Sequence, residues 1–266
     1  MSDTPLTFRL NFRLRSYEVE PSGHATELTL QNFLQEAAAT HAHRLYFSIQ
    51  RLFPMGLTWL LIKSRLLVER YPLWNETVLV ETWPSGWSGA IAWRDFLILD
   101  ERENPIAWAT THWMLFDFHR RRPALIEKHF PELPAVHRQS IERDIPNLPA
   151  VETPAYQTQF PVTWLNMDMN AHANNAAYIA WAMGAVPGDI RKQWVVKQMD
   201  VNFLKEVFAG DVVHSRVQVV EQTQNLAMHH ELQKSDGKAV MRVSSIWRQR
   251  KGEEQFHYLQ EEDDGQ

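Results

Sequence analysis

Apolar positions recur along this chain with two different periods. In the first part Leu30, Phe33, Leu34, Ala37, His41 and Leu45 fall every three or four residues and share one helical face. That spacing predicts one long amphipathic helix. After Pro54 and Gly56 the stretches 57–68, 76–82, 91–99 and 106–118 are rich in Val, Ile, Leu, Thr and Trp, with Gly, Pro, Asp and Asn between them. They predict four strands in meander order, and 8–19 reads as a further strand before the helix.

The second part repeats that order. The stretch Asn174-Asn175-Ala-Ala-Tyr-Ile-Ala-Trp-Ala-Met-Gly184 is apolar on every side, which predicts a buried helix capped by Asn174 or Asn175 and stopped at Gly184. Strands are expected over 194–204, 211–220, 226–233 and 239–248, with a turn at Lys234-Ser-Asp-Gly-Lys238 joining the last two. Short matches suggest duplication. Gly23-His24-Ala25 pairs with Ala171-His172-Ala173, residues 74–78 with 209–213, and 109–113 with 243–247. Six prolines between 123 and 154 mark a connecting segment, and the acidic end around 261–265 is expected to stay unfolded by self-repulsion.

Each part is thus a helix followed by antiparallel strands, and an apolar helix needs a sheet to cover it. The expected fold is α+β: two tandem hotdog units, each a long helix wrapped by an antiparallel sheet. The expected boundaries are 1–122 for an N-terminal hotdog with the substrate pocket, 123–155 for the connector, 156–250 for a C-terminal hotdog with the chemistry, and 251–266 for the tail. Paired hotdogs leave elongated apolar clefts suited to an acyl chain.

Composition narrows the chemistry. With no Cys among 266 residues, disulfides, thiolate metal sites and a Cys nucleophile are excluded. A net charge of −5, from 27 Lys and Arg against 32 Asp and Glu, gives no general attraction to nucleic acid or anionic membrane. No apolar run approaches the ~18 residues of a membrane span, so a cytoplasmic location without membrane insertion is expected. The motifs of nucleotide enzymes, zinc proteases and α/β-hydrolases are missing. His41 and His43, two apart on a helix, and His229 and His230, successive in a strand, point apart, so neither metal nor cofactor is expected.

The richest polar cluster lies just before the second helix, where Asp168, Asn170 and His172 alternate between Met and Ala. Two uses compete for it. Asp and Asn bond readily to neighbouring backbone N–H groups and can simply shape a turn and cap the helix. Alternating polar residues can also face one side beside the partly positive helix start, where an oxyanion is stabilised. Activating water would then need a carboxylate, for which Glu206 is the best candidate. His24 occupies the repeat position of His172 but has no Asp or Asn neighbour, so it reads as structural. Arg120-Arg121-Arg122 reads equally as a solvated run or a site for an acidic or phosphate-bearing partner.

The segment from Trp164 to Trp181 resembles the second-hotdog signature of acyl-ACP thioesterases of the plant plastid and bacterial type, and 56–84 resembles their first-hotdog segment. The resemblance implies release of free fatty acid from an acyl carrier protein bearing a fatty acyl phosphopantetheine thioester, with catalytic Asp168, Asn170, His172 and Glu206. Where plant members have a Cys after the Glu, this chain has Val207, so chemistry must pass through carboxylate and water. The first-half turn Trp74-Asn75-Glu76 also departs from the plant pattern. An acyl-CoA thioesterase, a hotdog dehydratase and a non-catalytic acyl binder are rival readings on the same fold. Homodimerisation stays open, since a duplicated chain already supplies the pair that single hotdogs obtain by dimerising.

Overall fold

A computed structural model describes residues 5–169 and 172–254 of the chain. The chain divides into two compact units that are interleaved in sequence. One contains Met1–Arg13, Leu30–Arg70 and Glu76–Ile145, the other Leu14–Thr29, Tyr71–Asn75 and Pro146–Gln266. The expected tail beyond 254 and the expected catalytic Asn170 lie outside the described residues.

The first unit contains strand β1 (Phe8–Arg13), most of helix α1 (Glu27–Arg44), a turn of helix α2 (Ile49–Leu52), strands β2 (Leu57–Val68), β3 (Thr77–Ser88), β4 (Ile91–Leu99), β5 (Pro105–Asp117) and β6 (Arg122–Pro123), and a second helical turn α3 (Ile126–His129). Helix α1 buries the face predicted by its period: Leu30, Phe33, Leu34, Ala37 and His41 are each at most 3% exposed. It packs on the sheet through rings, with Phe33 stacked on Phe12 at 4.4 Å and His41 on Phe8 at 5.3 Å. The strand order is β1-β3-β4-β5-β2, antiparallel throughout, with β6 on β5. Thus β3, β4 and β5 form a meander, while β2 pairs with β5 and not with β3, as a plain four-strand meander would have it. Strand β3 also runs beyond its expected end at Thr82. Pro84 has no N–H to give the ladder, and a register shift between Pro84 and Gly86 accommodates it.

The Pro-rich connector is held by specific contacts. Over the first unit Trp83 Nε1 donates to the Arg138 carbonyl at 2.7 Å, Lys63 Nζ to the Ile145 carbonyl at 2.6 Å, and Ser140 bonds Asp95 through both N–H and hydroxyl. Such side-chain bonds satisfy backbone that repeated prolines keep out of a ladder.

The second unit contains β7 (Tyr156–Pro161), α4 (Asn175–Gly184), a short helix α5 (Gly188–Gln193), and β8 (Trp194–Phe203), β9 (Val212–Gln222), β10 (Leu226–Lys234) and β11 (Ala239–Gln249) in the order β8-β11-β10-β9-β7. Helix α4 buries Ala176, Tyr178, Ile179, Trp181, Ala182 and Met183. Each large apolar side chain among them contributes about 1.5–3 kcal/mol on burial. Gly184 lets α4 approach β7 closely, since a Cβ there would lie 3.0 Å from the Phe160 ring and the ring would have to shift. Among the described residues no helix is long and apolar enough to cross a membrane.

Candidate active site

The site is built on the turn that leads into α4. A short 3-10 helix, Trp164–Asn166, is closed by a reciprocal pair: the Asn166 side chain accepts the Thr163 N–H at 2.8 Å and its N–H bonds back to the Thr163 carbonyl at 3.1 Å. The chain then doubles back, with Met167 bridged to Ala173 and the Asp168 N–H donating to the His172 carbonyl at 2.8 Å. Asp168 Oδ1 accepts the His172 N–H at a long 3.4 Å. Asn174 caps α4, its side chain accepting the Ala176 N–H at 2.9 Å.

Glu206 comes from the loop after β8. The Ala173 N–H donates to the Val207 carbonyl at 3.0 Å, which fixes the loop beside the turn and brings Glu206 Oε1 to 3.4 Å from His172 Nε2. These side chains are 42% and 36% exposed, open enough to meet a substrate. Two groups not singled out from sequence complete the surroundings. The Phe208 ring meets His172 edge-on at 5.3 Å, and the Phe208 N–H donates to Asp211 Oδ2 at 2.9 Å, itself 2.7 Å from Lys234 Nζ. Below the loop Tyr178 donates its hydroxyl to the Lys205 carbonyl at 3.1 Å. Burial pushes that phenol's pKa up, and the charges of Glu206, Asp211 and Asp168 act the same way, so it stays a donor.

Of the four residues expected from sequence, His172 and Glu206 therefore meet, Asp168 braces the backbone of His172, and Asn170 is outside the described residues. Helix-start donors are partly spent, since the N–H groups of Ala173, Asn174, Ala176 and Ala177 all bond within the fold. Among the described residues no three His, Asp or Glu side chains are grouped to hold a metal ion. An imidazole beside a carboxylate at an open rim can orient water and accept its proton.

Two family models match the chain side by side: the acyl-ACP thioesterase N-terminal domain over residues 5–133 and the C-terminal domain over 151–249. The chain belongs to the acyl-ACP thioesterase family. It is accordingly an enzyme of the thioester hydrolase class, with the hotdog fold. Among its relatives, the dodecanoyl-acyl-carrier-protein hydrolase, chloroplastic, of Umbellularia californica is 28% identical over 262 residues, covering 91% of this chain and 68% of the relative. The palmitoyl-acyl carrier protein thioesterase, chloroplastic, of Cuphea hookeriana is 27% identical over 266 residues, covering 93% and 63%. The chain thus spans about two thirds of the length of these plant proteins. A solved 12:0-ACP thioesterase from Umbellularia californica superposes with a TM-score of 0.86 at 27% identity, covering 92% of this chain and 95% of that one. Val207, next to Glu206, is completely buried here.

Proposed function

We propose that this family member hydrolyses the thioester of a fatty acyl group on acyl carrier protein through Asp168, Asn170, His172 and Glu206, releasing free fatty acid. The observation that carries the reading is the 3.4 Å approach of His172 Nε2 to Glu206 Oε1 at an exposed rim, reached from two segments far apart in sequence. Glu206 takes a proton from water while the oxygen adds to the acyl carbon. The tetrahedral oxyanion is met by the Asn170 side chain and backbone N–H near the start of α4. As the intermediate collapses the C–S bond breaks, and the proton on Glu206 passes to the departing pantetheine sulfur. His172 orients water and carboxylate, and Asp168 holds His172 through its backbone.

In this reading the first unit holds the acyl chain and the second carries the chemistry. Arg120, Arg121 and Arg122, exposed near β6, are the residues offered to an acidic carrier. A cytoplasmic location goes with the reading, and so does room for a homodimer; fractionation and light scattering check the two.

The deciding experiment supplies one acyl chain on carrier protein and on coenzyme A, across medium and long chain lengths, and follows free thiol and free acid. Faster release from carrier protein is expected. Preference for the coenzyme A ester would move the chain to the nearest rival activity, and no release from either would sink the proposal.

A further inference from the structure

The turn leading into α1 repeats a set of backbone contacts of the turn leading into α4. Ser16–Glu18 and Trp164–Asn166 are both 3-10 turns whose last side chain accepts the N–H of the residue before the turn, Glu18 from Arg15 at 2.9 Å and Asn166 from Thr163 at 2.8 Å. Val19 bridges Ala25 as Met167 bridges Ala173. The Glu20 N–H reaches the His24 carbonyl at 2.9 Å, as Asp168 reaches His172 at 2.8 Å. The Ala25 N–H donates to Pro72 O at 2.8 Å where Ala173 donates to Val207 O at 3.0 Å, and the Asn75 N–H donates to Leu14 O at 3.1 Å where Gly210 donates to Val162 O at 2.9 Å. Asn75 and Gly210 even share the left-handed region, at φ 71° and 94°. The same correspondence puts Glu20, Ser22, His24 and Tyr71 in the places of Asp168, Asn170, His172 and Glu206.

What differs is what covers each turn. Arg250, at the end of β11 and 3% exposed, places its guanidinium 2.6 Å from Glu20 Oε1. Ser22 Oγ donates to the same oxygen at 2.7 Å and lies 3.3 Å from His24 Nδ1, so Arg250, Glu20, Ser22 and His24 form one chain of contacts. The strand end is pinned in turn. Arg250 also bonds the Glu254 carbonyl at 3.2 Å, and the Glu254 carboxylate, 4% exposed, is gripped by both nitrogens of Arg248 at 2.6 Å. His24 is only 4% exposed.

We propose that the 20–24 turn is a dormant second copy of the candidate site, closed by the chain's own 248–254 segment, with Arg250 seated on the carboxylate that stands in Asp168's place. Naming it a copy of a catalytic site rests on the function proposed above; the closure rests on the contacts alone. The copy has no base. Tyr71, where Glu206 would be, is 1% exposed and donates its hydroxyl to the Val196 carbonyl at 3.0 Å. A phenol so buried keeps its proton and cannot take one from water. Each chain therefore works with one centre, and the second site has a guanidinium as its resident ligand.

Histidine footprinting with diethylpyrocarbonate, read by mass spectrometry on the full chain at neutral pH, tests the closure. In the unaltered protein His24 should react far more slowly than His172. Glu20→Gln and, separately, Glu254→Gln should each raise the His24 rate about tenfold, as expected when a local opening loses one charge-assisted hydrogen bond. Acyl-ACP hydrolysis by both variants should stay within about twofold of the unaltered chain, because neither residue belongs to the 168–206 set. Equal labelling of His24 and His172 at the outset, or a His24 that stays protected in both variants, would overturn the proposal. Labelling of the buried His41 and His230 would reveal a variant that has lost its fold. Hydrogen exchange of the unaltered chain then decides: residues 20–24 and 248–254 must open together, and independent opening overturns the closure. A protein that hydrolyses no acyl-ACP would sink the catalytic reading while leaving the footprint readable.

Discussion

The turns into α1 and α4 share the backbone bonds Glu20–His24 and Asp168–His172 and differ in what lies beside each histidine. His172 stands at a rim with Glu206 3.4 Å away, while His24 is sealed beside a carboxylate already taken by Arg250. At the starts of the two helices the contrast recurs. Glu27, at the place of Asn175, is a buried carboxylate 2.8 Å from Arg191, whereas Asn175 is uncharged. One turn geometry thus serves two ends, and the side chains brought to it decide which. Paired ionic groups make the first a brace, and an exposed imidazole beside an open carboxylate makes the second the proposed reactive centre.

The sharpest way to break this contrast is to remove the acid on each side. Glu206→Gln is expected to lower kcat about 10²–10⁴-fold, the usual worth of a positioned base, while Glu20→Gln leaves it nearly unchanged; thiol-release assays on both variants decide. Full turnover by Glu206→Gln would erase the distinction. On the braced side, Arg191→Met leaves Glu27 buried without its partner and should cost about 3–5 kcal/mol in denaturant unfolding. Burial alone would raise the Glu27 pKa, but the charge and hydrogen bond of Arg191 outweigh it and hold the pKa down. The pair therefore stabilises the fold above the ordinary Glu range and loses that effect as acid protonates the carboxylate.

A smaller effect is expected at the ring contacts. Phe208→Ala removes the edge contact to His172, worth about 0.5–1.5 kcal/mol, so kcat should fall by up to about tenfold with KM little changed. Leu73→Ala, at the matching position of the braced turn, should leave both constants alone. Equal losses in the two variants would mean that Phe208 acts only through stability.

A separate effect is a pH dependence from buried imidazoles. Burial lowers the pKa of His24, and it lowers those of His41 and His230 to about 4. These groups stay neutral in the fold, while the unfolded chain takes up protons below about 6.5. Stability from them is complete above that pH and should decline as pH falls from about 6.5 toward 4. Denaturant melts at stepped pH, with the His24 titration followed by NMR, provide the check. A flat stability profile across that window would contradict the assignment.

Much of the architecture was legible because it rests on local periodicity. The face of α1 and the limits of β2 and β4 follow from the spacing of apolar residues, and Lys234-Ser-Asp-Gly-Lys238 turns where Gly237 supplies a positive φ of 77°. The pairing of β2 with β5 was not legible, because pattern gives a strand's faces but not its neighbour. Nor was β7, whose residues Gln157, Thr158 and Gln159 are exposed and carry little apolar signal. Glu20 and Ser22 could have been found by carrying the 148-residue spacing of His24 and His172 upstream to Asp168 and Asn170.

By itself the sequence determined the two long helices, most of the strands, the absence of thiol chemistry and the residue types from which a water-activating site can be assembled. These depend on side-chain identity and short spacing, which the chain carries along its length. Tertiary structure decided which histidine is open, which carboxylate it meets and which is claimed by an arginine more than two hundred residues away. Distance and solvent access between remote segments arise only when sheets pair and loops are tied down, so no local pattern could encode them.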